Sequence, residues 1–121
     1  MTDYTPINPQ HYRDTPIGIG LECIKYIRYL PHSQATAGKY LYRAGNKDPL
    51  AQDLGKTLWY VKDAIEYDLI GDLRILRPDV METIDTFATQ RSRLFFNLVT
   101  GRLDLVHSTC EFAIENFTTL D

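Results

Sequence analysis

Apolar residues recur along this chain with a helical period. Leu50, Leu54, Leu58, Val61, Ile65 and Leu69 follow the spacing i, i+4, i+8, i+11, i+15, i+19, which places them on one face of a 3.6-residue helix. Asp48-Pro49 supplies a cap followed by proline at the first helical position, and Gly71 marks the end. Upstream, a helix is expected from about Leu21 to Leu30, because Gly18 and Gly20 weaken a start at Thr15-Pro16, and Pro31 stops it. Ser33 then caps a helix running to Ala44, with the stripe Ala37, Leu41, Ala44 and a terminal Gly45. From Pro78 onward the pattern predicts two more helices separated near Gly101. Val80, Ile84, Phe87, Leu94 and Leu98 face inward on one, and Leu103, Val106, Cys110, Ala113 and Phe117 on the other. The threonines between 83 and 109 pull toward strand, because β-branched side chains are stiff in a helix. Residues 1 to 16, with Pro6, Pro9 and Pro16, read as an extended arm. The expectation is one all-α domain over residues 1–121, a small domain of about five helices with an extended N-terminal arm and no internal repeat.

Composition adds limits. With 121 residues, 44% of them apolar, eight Tyr and one Trp, the chain suits a single globular domain. A formal charge of -3 argues against general affinity for polyanions, so no nucleic acid is expected as partner. Cys23 and Cys110 sit in no zinc-ligand spacing and read as reduced thiols, and no metal or cofactor is implied. No apolar run reaches the roughly 18 residues needed to span a bilayer, and the start MTDYTPINPQ lacks a signal peptide's regions, so a soluble protein that is not exported is expected.

Gly55-Lys56-Thr57 ends as a phosphate-binding P-loop does, but Leu50 stands where that motif needs its first glycine. The three residues also fall inside the predicted 48–71 helix, whose N–H groups are committed to carbonyls four residues back. The match is one of chance. Gly18 and Gly20 lack the third glycine of a dinucleotide fingerprint, since Cys23 holds that place. The stronger chemical signal is charge. Cys23 to Lys47 contains Lys25, Arg28, Lys39, Arg43 and Lys47 and no acid. Lys39 and Arg43 share a helix face at i, i+4, pointing away from the core stripe, and "RAGNKD" adds a glycine turn with donors from Asn46 and Lys47. The plain alternative is a solvated face and a capping loop. Trp59 falls about 140° from the centre of its helix's apolar stripe, where it can stack on a base, lie in a subunit contact or, first in rank, pack on the C-terminal helices. Asp53 and Lys56 read as a surface ion pair at i, i+3. His11 on the arm is a candidate acid, base or phosphate donor, or a hydrogen-bonded loop residue. His32 and His107 receive no role.

Four blocks, "NPQHY" (8–12), "LECIKYIRYL" (21–30), "GKYLYRAGNKD" (38–48) and "DLGKTLWYVKDAI" (53–65), resemble in order and spacing a bacteriophage domain family often labelled nucleotide kinase. The resemblance covers residues 7–70, with 72–121 as a C-terminal extension that has no counterpart. It marks Asn8, His11, Tyr12, Glu22, Lys39, Tyr40, Arg43, Gly45, Lys47, Asp53, Lys56, Trp59 and Tyr60. Gly38 and Thr57 depart from the family's pattern, which has a larger residue and an alanine there. The resemblance implies a phage-encoded nucleotide-handling protein in the cytoplasm of the infected host, with nucleoside monophosphate kinase activity that uses no P-loop. His11 or Glu22 would handle the acceptor proton. Lys39, Arg43 and Lys47 would clamp phosphates, Trp59 or Tyr60 would stack on the base, and Asn8, Tyr12 and Lys56 would complete the nucleotide- or phosphate-binding set. A homo-oligomer would complete a site between subunits. The alternative is a non-catalytic phage protein that sequesters a nucleotide, or one that binds and inhibits a host defence protein. The inhibitor reading would use the acids Asp79, Glu82, Asp85, Asp104, Glu111 and Glu115.

Overall fold

The computed structural model describes residues 23–84 and 89–121, and among these every regular element is a helix. In chain order they are α1 (Ile24–Ile27), α2 (His32–Arg43), α3 (Leu50–Glu66), α4 (Leu73–Leu76), α5 (Pro78–Met81), α6 (Gln90–Val99) and α7 (Leu103–Asn116). The all-α reading holds. Helix α2 packs along α3, α3 on α7, α7 on α6, and α6 back on α2, so four helices enclose the core while α1, α4 and α5 cover its flank. Tyr26, Leu41, Tyr42, Leu54, Val61, Leu94, Phe95, Leu98, Val106 and Cys110 are buried there. No helix of the described residues is long and apolar enough to cross a membrane.

Several boundaries differ from the sequence pattern for local reasons. Ser33 does not cap α2. Its hydroxyl donates instead to Asp63 Oδ2 on α3, which joins the two helices. Helix α2 ends at Arg43, one residue before the predicted Ala44, and Gly45 follows at φ 84°, the left-handed conformation that glycine adopts at lowest cost. In α3, Pro49 and not Asp48 occupies the cap position, and the helix ends at Glu66 because Asp68 turns left-handed at φ 53°. Leu69 therefore leaves the helix and is 58% exposed, and Ile65 at the frayed end of the stripe is 36% exposed. The buried face of α3 is Leu50, Asp53, Leu54, Thr57, Val61 and Ala64.

The first of the two helices expected from Pro78 onward, the one before Gly101, is broken. Pro78 opens the four-residue α5, and α6 starts afresh at Gln90, where Thr89 and Ser92 form a reciprocal capping box. Helix α4, with Asp72 accepting from Arg74 N, was not expected at all. The helix expected over 21–30 is short, because Leu30 N bonds to Ile27 O as Pro31 approaches. Phe87 and residues 1–22, including the expected arm, lie outside the described residues.

Two buried polar side chains organise these joints. The Gln34 amide donates to Gly71 O and Leu98 O, both at 2.8 Å, and accepts from Gly71 N at 2.6 Å, tying α2 to the turn before α4 and to the end of α6. Arg91, 1% exposed, donates from Nη1 to Leu41 O and Tyr42 O at 3.2 Å and from Nε to Asp121 Oδ1 at 3.2 Å. It thus places a cation at the carbonyl end of α2, where the helix dipole is negative. Gly38 lets α2 approach its neighbours closely: a Cβ there would lie 2.9 Å from Ile27 Cγ2 and 3.0 Å from Leu98 Cδ2. This explains why a larger residue is missing at that place.

Candidate functional site

Helices α2 and α3 run against one another, so residues from each meet on the outer side of their contact. From α2 come Lys39, Tyr40 and Arg43, and from α3 Gln52, Gly55, Lys56, Trp59 and Tyr60. Tyr40, Gln52, Gly55, Lys56, Trp59 and Tyr60 line an open groove of about 470 Å³. The Tyr40 ring on its wall gathers three cations. Lys39 Nζ lies 5.2 Å from the ring centroid, Arg43 Cζ 5.0 Å and Lys56 Nζ 5.2 Å, all within cation–π range. Tyr60 stacks on Tyr40 at 6.0 Å with 14° between planes, and Trp59 stands edge-on to Tyr60 at 5.0 Å.

Trp59 does not pack on the C-terminal helices. It is 62% exposed, so its indole and the neighbouring Tyr60 ring form an aromatic wall open to solvent. Such a wall beside a cation cluster is amphipathic in the way nucleotides are, with a flat apolar surface at one end and positive charge at the other.

Among the described residues neither Lys39 nor Lys56 has a carboxylate partner, and Arg43 reaches only Asp48, at 3.8 Å. Three like charges around one ring repel, and an anion seated among them relieves that repulsion. Arg43 does not stand free in solvent as the face argument suggested: its side chain is 15% exposed, and its Nε is buried without a hydrogen-bond partner among the described residues.

Asp53 overturns a simple expectation. It is not a surface ion pair with Lys56 but a fully buried carboxylate, with Oδ2 accepting from Gly45 N at 3.3 Å and Oδ1 without a partner among the described residues. Burial pushes its carboxyl above the ordinary value, against the Gly45 N–H and the Arg43 charge, which pull it down. It anchors the glycine turn directly after Arg43. Beneath it, Thr57 donates to Asp53 O at 2.9 Å and is buried, so the third residue of the Gly55-Lys56-Thr57 triplet serves the helix interior and no phosphate cradle forms.

Of the sequence candidates, the fold brings Lys39, Arg43, Lys56, Trp59 and Tyr60 to one place. Lys47 stands exposed on the loop beyond Gly45 and does not join the ring cluster. Asn8, His11, Tyr12 and Glu22 lie outside the described residues. Sequence reasoning gave no binding role to Tyr40, the centre of the cluster, nor to Gln52 and Gly55. The available signal was spacing: Tyr40–Arg43 at i, i+3 and Lys56–Tyr60 at i, i+4 each set a cation beside an aromatic on one helix face.

Elsewhere the chemistry is quiet. Cys23 and Cys110 are buried and free, and burial raises both thiols, Cys110 to about 12, so neither is a poised nucleophile. His107 Nδ1 lies 3.4 Å from Glu111 Oε1 on the same helix. Among the described residues no cluster of His, Cys, Asp or Glu is arranged to hold a metal. Neither a protein-family model, nor a curated protein, nor a solved structure matches this chain, so the family resemblance rests on its four sequence blocks.

Proposed function

We propose that this chain binds a nucleotide in the α2/α3 groove. The phosphates sit among Lys39, Arg43 and Lys56, and the base lies against the aromatic wall of Tyr60 and Trp59. The observation that carries this reading is the convergence of three cations from two helices on the Tyr40 ring, with neither lysine paired to a carboxylate among the described residues. An anion with several charges satisfies all three at once, and a flat ring uses the exposed indole. The resemblance to phage proteins labelled nucleotide kinase supports the same ligand class. Kinase turnover is the extension of this reading. It needs a group for the acceptor proton, and the two candidates, His11 and Glu22, are not among the described residues.

Trp59 is the chain's one tryptophan and lines the groove, so its fluorescence reports on this site alone. Titration with nucleoside mono-, di- and triphosphates is expected to change that emission saturably. In Lys56→Ala the midpoint moves to at least about tenfold higher concentration, the effect of losing one charge-assisted contact. Emission indifferent to every nucleotide would overturn the proposal and turn attention to a protein partner.

A further inference from the structure

The acid-free stretch Cys23–Lys47 carries a second pair of cations, outside the α2/α3 groove. Lys25 in α1 and Arg28 at its C-terminal cap are both exposed, and they line a groove of about 270 Å³ whose other walls are Ile24, Tyr29 and Val80. Among the described residues neither cation has a carboxylate partner. Nearby arginines behave differently: Arg74 is held by Asp72 at 2.7 Å and Arg77 by Asp79 at 2.6 Å. Arg28 Nε donates to Ile24 O at 3.1 Å, which leaves the guanidinium's terminal nitrogens for another acceptor. The Tyr29 ring is braced by the Arg77 guanidinium, 4.4 Å from its centroid, so the aromatic wall is fixed by a cation whose charge Asp79 already offsets.

We propose that this α1/α5 groove is a second anion-binding site, taking a soluble phosphomonoester. Its phosphate would sit between Lys25 and Arg28, and its organic part against Ile24, Tyr29 and Val80. A lysine and an arginine together balance a phosphate dianion, and the planar guanidinium presents paired donors to its oxygens. The apolar walls add affinity for an ester over the bare ion. This site shares no lining residue with the α2/α3 groove and does not depend on the nucleotide reading.

The test is NMR titration of the full chain, following backbone amides, with inorganic phosphate and with phenyl phosphate as probes. The expected result is saturable shifts at residues 24–29 and at Val80, with phenyl phosphate binding more tightly than phosphate. In the double variant Lys25→Ala/Arg28→Ala, affinity at these amides falls at least about tenfold, while nucleotide-induced shifts at Tyr40 and Tyr60 persist. Lys56→Ala gives the converse pattern, so failure at one groove is distinguishable from failure at the other. Both substituted side chains are exposed, and unchanged amide positions elsewhere verify the fold. No shift at residues 24–29, or shifts that survive the double substitution, would overturn the proposal. Binding to vesicles containing phosphatidic acid without any response to phenyl phosphate would overturn its assignment to a soluble ligand.

Discussion

Gly55 is the residue whose presence the helix itself least explains. It lies in the middle of α3, where glycine costs roughly 0.5–1 kcal/mol relative to alanine because the unfolded backbone is freer and no side chain packs. At Gly38 that cost has a packing reason, since Ile27 and Leu98 leave no room for a Cβ. At Gly55 nothing lies within 4 Å of the position a Cβ would take. What a side chain there would enter is the groove. Gly55→Ala is therefore expected to raise stability by about 0.5–1 kcal/mol, which is a rise of roughly 2–6 °C in Tm for a chain of this size. Gly55→Leu keeps most of that gain, because leucine is a good helix former and would stand in open space. The larger side chain occupies part of the 470 Å³ groove beside Lys56 and Trp59, and nucleotide affinity falls at least about tenfold. Urea unfolding followed by circular dichroism reads the first effect, and Trp59 fluorescence titration the second. A Gly55→Leu protein that is stabilised yet binds nucleotide as well as the parent would refute the reasoning, because the groove would then not be where the ligand sits.

Two other perturbations probe the scaffold. Arg91→Met keeps much of the side chain's volume but removes two charge-assisted hydrogen bonds at the carbonyl end of α2, so a loss of about 2–4 kcal/mol is expected in urea unfolding, with Arg91→Lys intermediate; a loss below about 0.5 kcal/mol would show that the buried guanidinium does not hold α2 to α6. For Asp53 the sign follows from linkage: burial raises its carboxyl in the folded chain, so the folded state keeps a proton that the unfolded chain has lost. Its contribution to stability therefore declines as pH rises above 3.8 through the folded value and is level beyond. Asp72 and Asp79, which their arginines hold low, Asp79 at about 2, act in the opposite direction but are common to parent and variant. The stability of the parent minus that of Asp53→Asn, from urea midpoints across pH, should fall through that window, and parallel curves would contradict it.

Much of the fold was legible because burial of apolar stripes imposes the helical period. Leu50, Leu54 and Val61, and Leu103, Val106, Cys110 and Ala113, are buried as their spacing requires. What escaped were polar residues inside the core. Gln34, Asp53, Thr57 and Arg91 are each buried, and a reading that assigns polar letters to the surface cannot place them. Gln34 and Arg91 satisfy backbone groups of elements distant in sequence, so their partners are not visible locally, whereas Asp53 accepts from Gly45 N in the turn before α3 and Thr57 donates to Asp53 O one turn back, bonds that a pattern of apolar letters does not register. The break between α5 and α6 was hidden for a related reason: the Thr89–Ser92 capping box competes with a continuous helix, and its threonine was read only as a weak strand signal. The site divides in the same way. That Lys39 and Arg43 share a face follows from spacing, whereas their meeting with Lys56 and Tyr60 over Tyr40 depends on how α2 packs against α3.

The most direct test of the account is calorimetric titration of the chain with nucleoside mono-, di- and triphosphates, repeated in Lys39→Ala and Lys56→Ala and at raised salt, with products followed by chromatography. The account predicts saturable binding that weakens at least about tenfold in each variant and weakens with salt, because the lysines are partly exposed. Conversion of monophosphate plus ATP to diphosphates in the same samples would add kinase activity to binding. Absence of binding by every nucleotide, or binding indifferent to both lysines, would contradict the central claim.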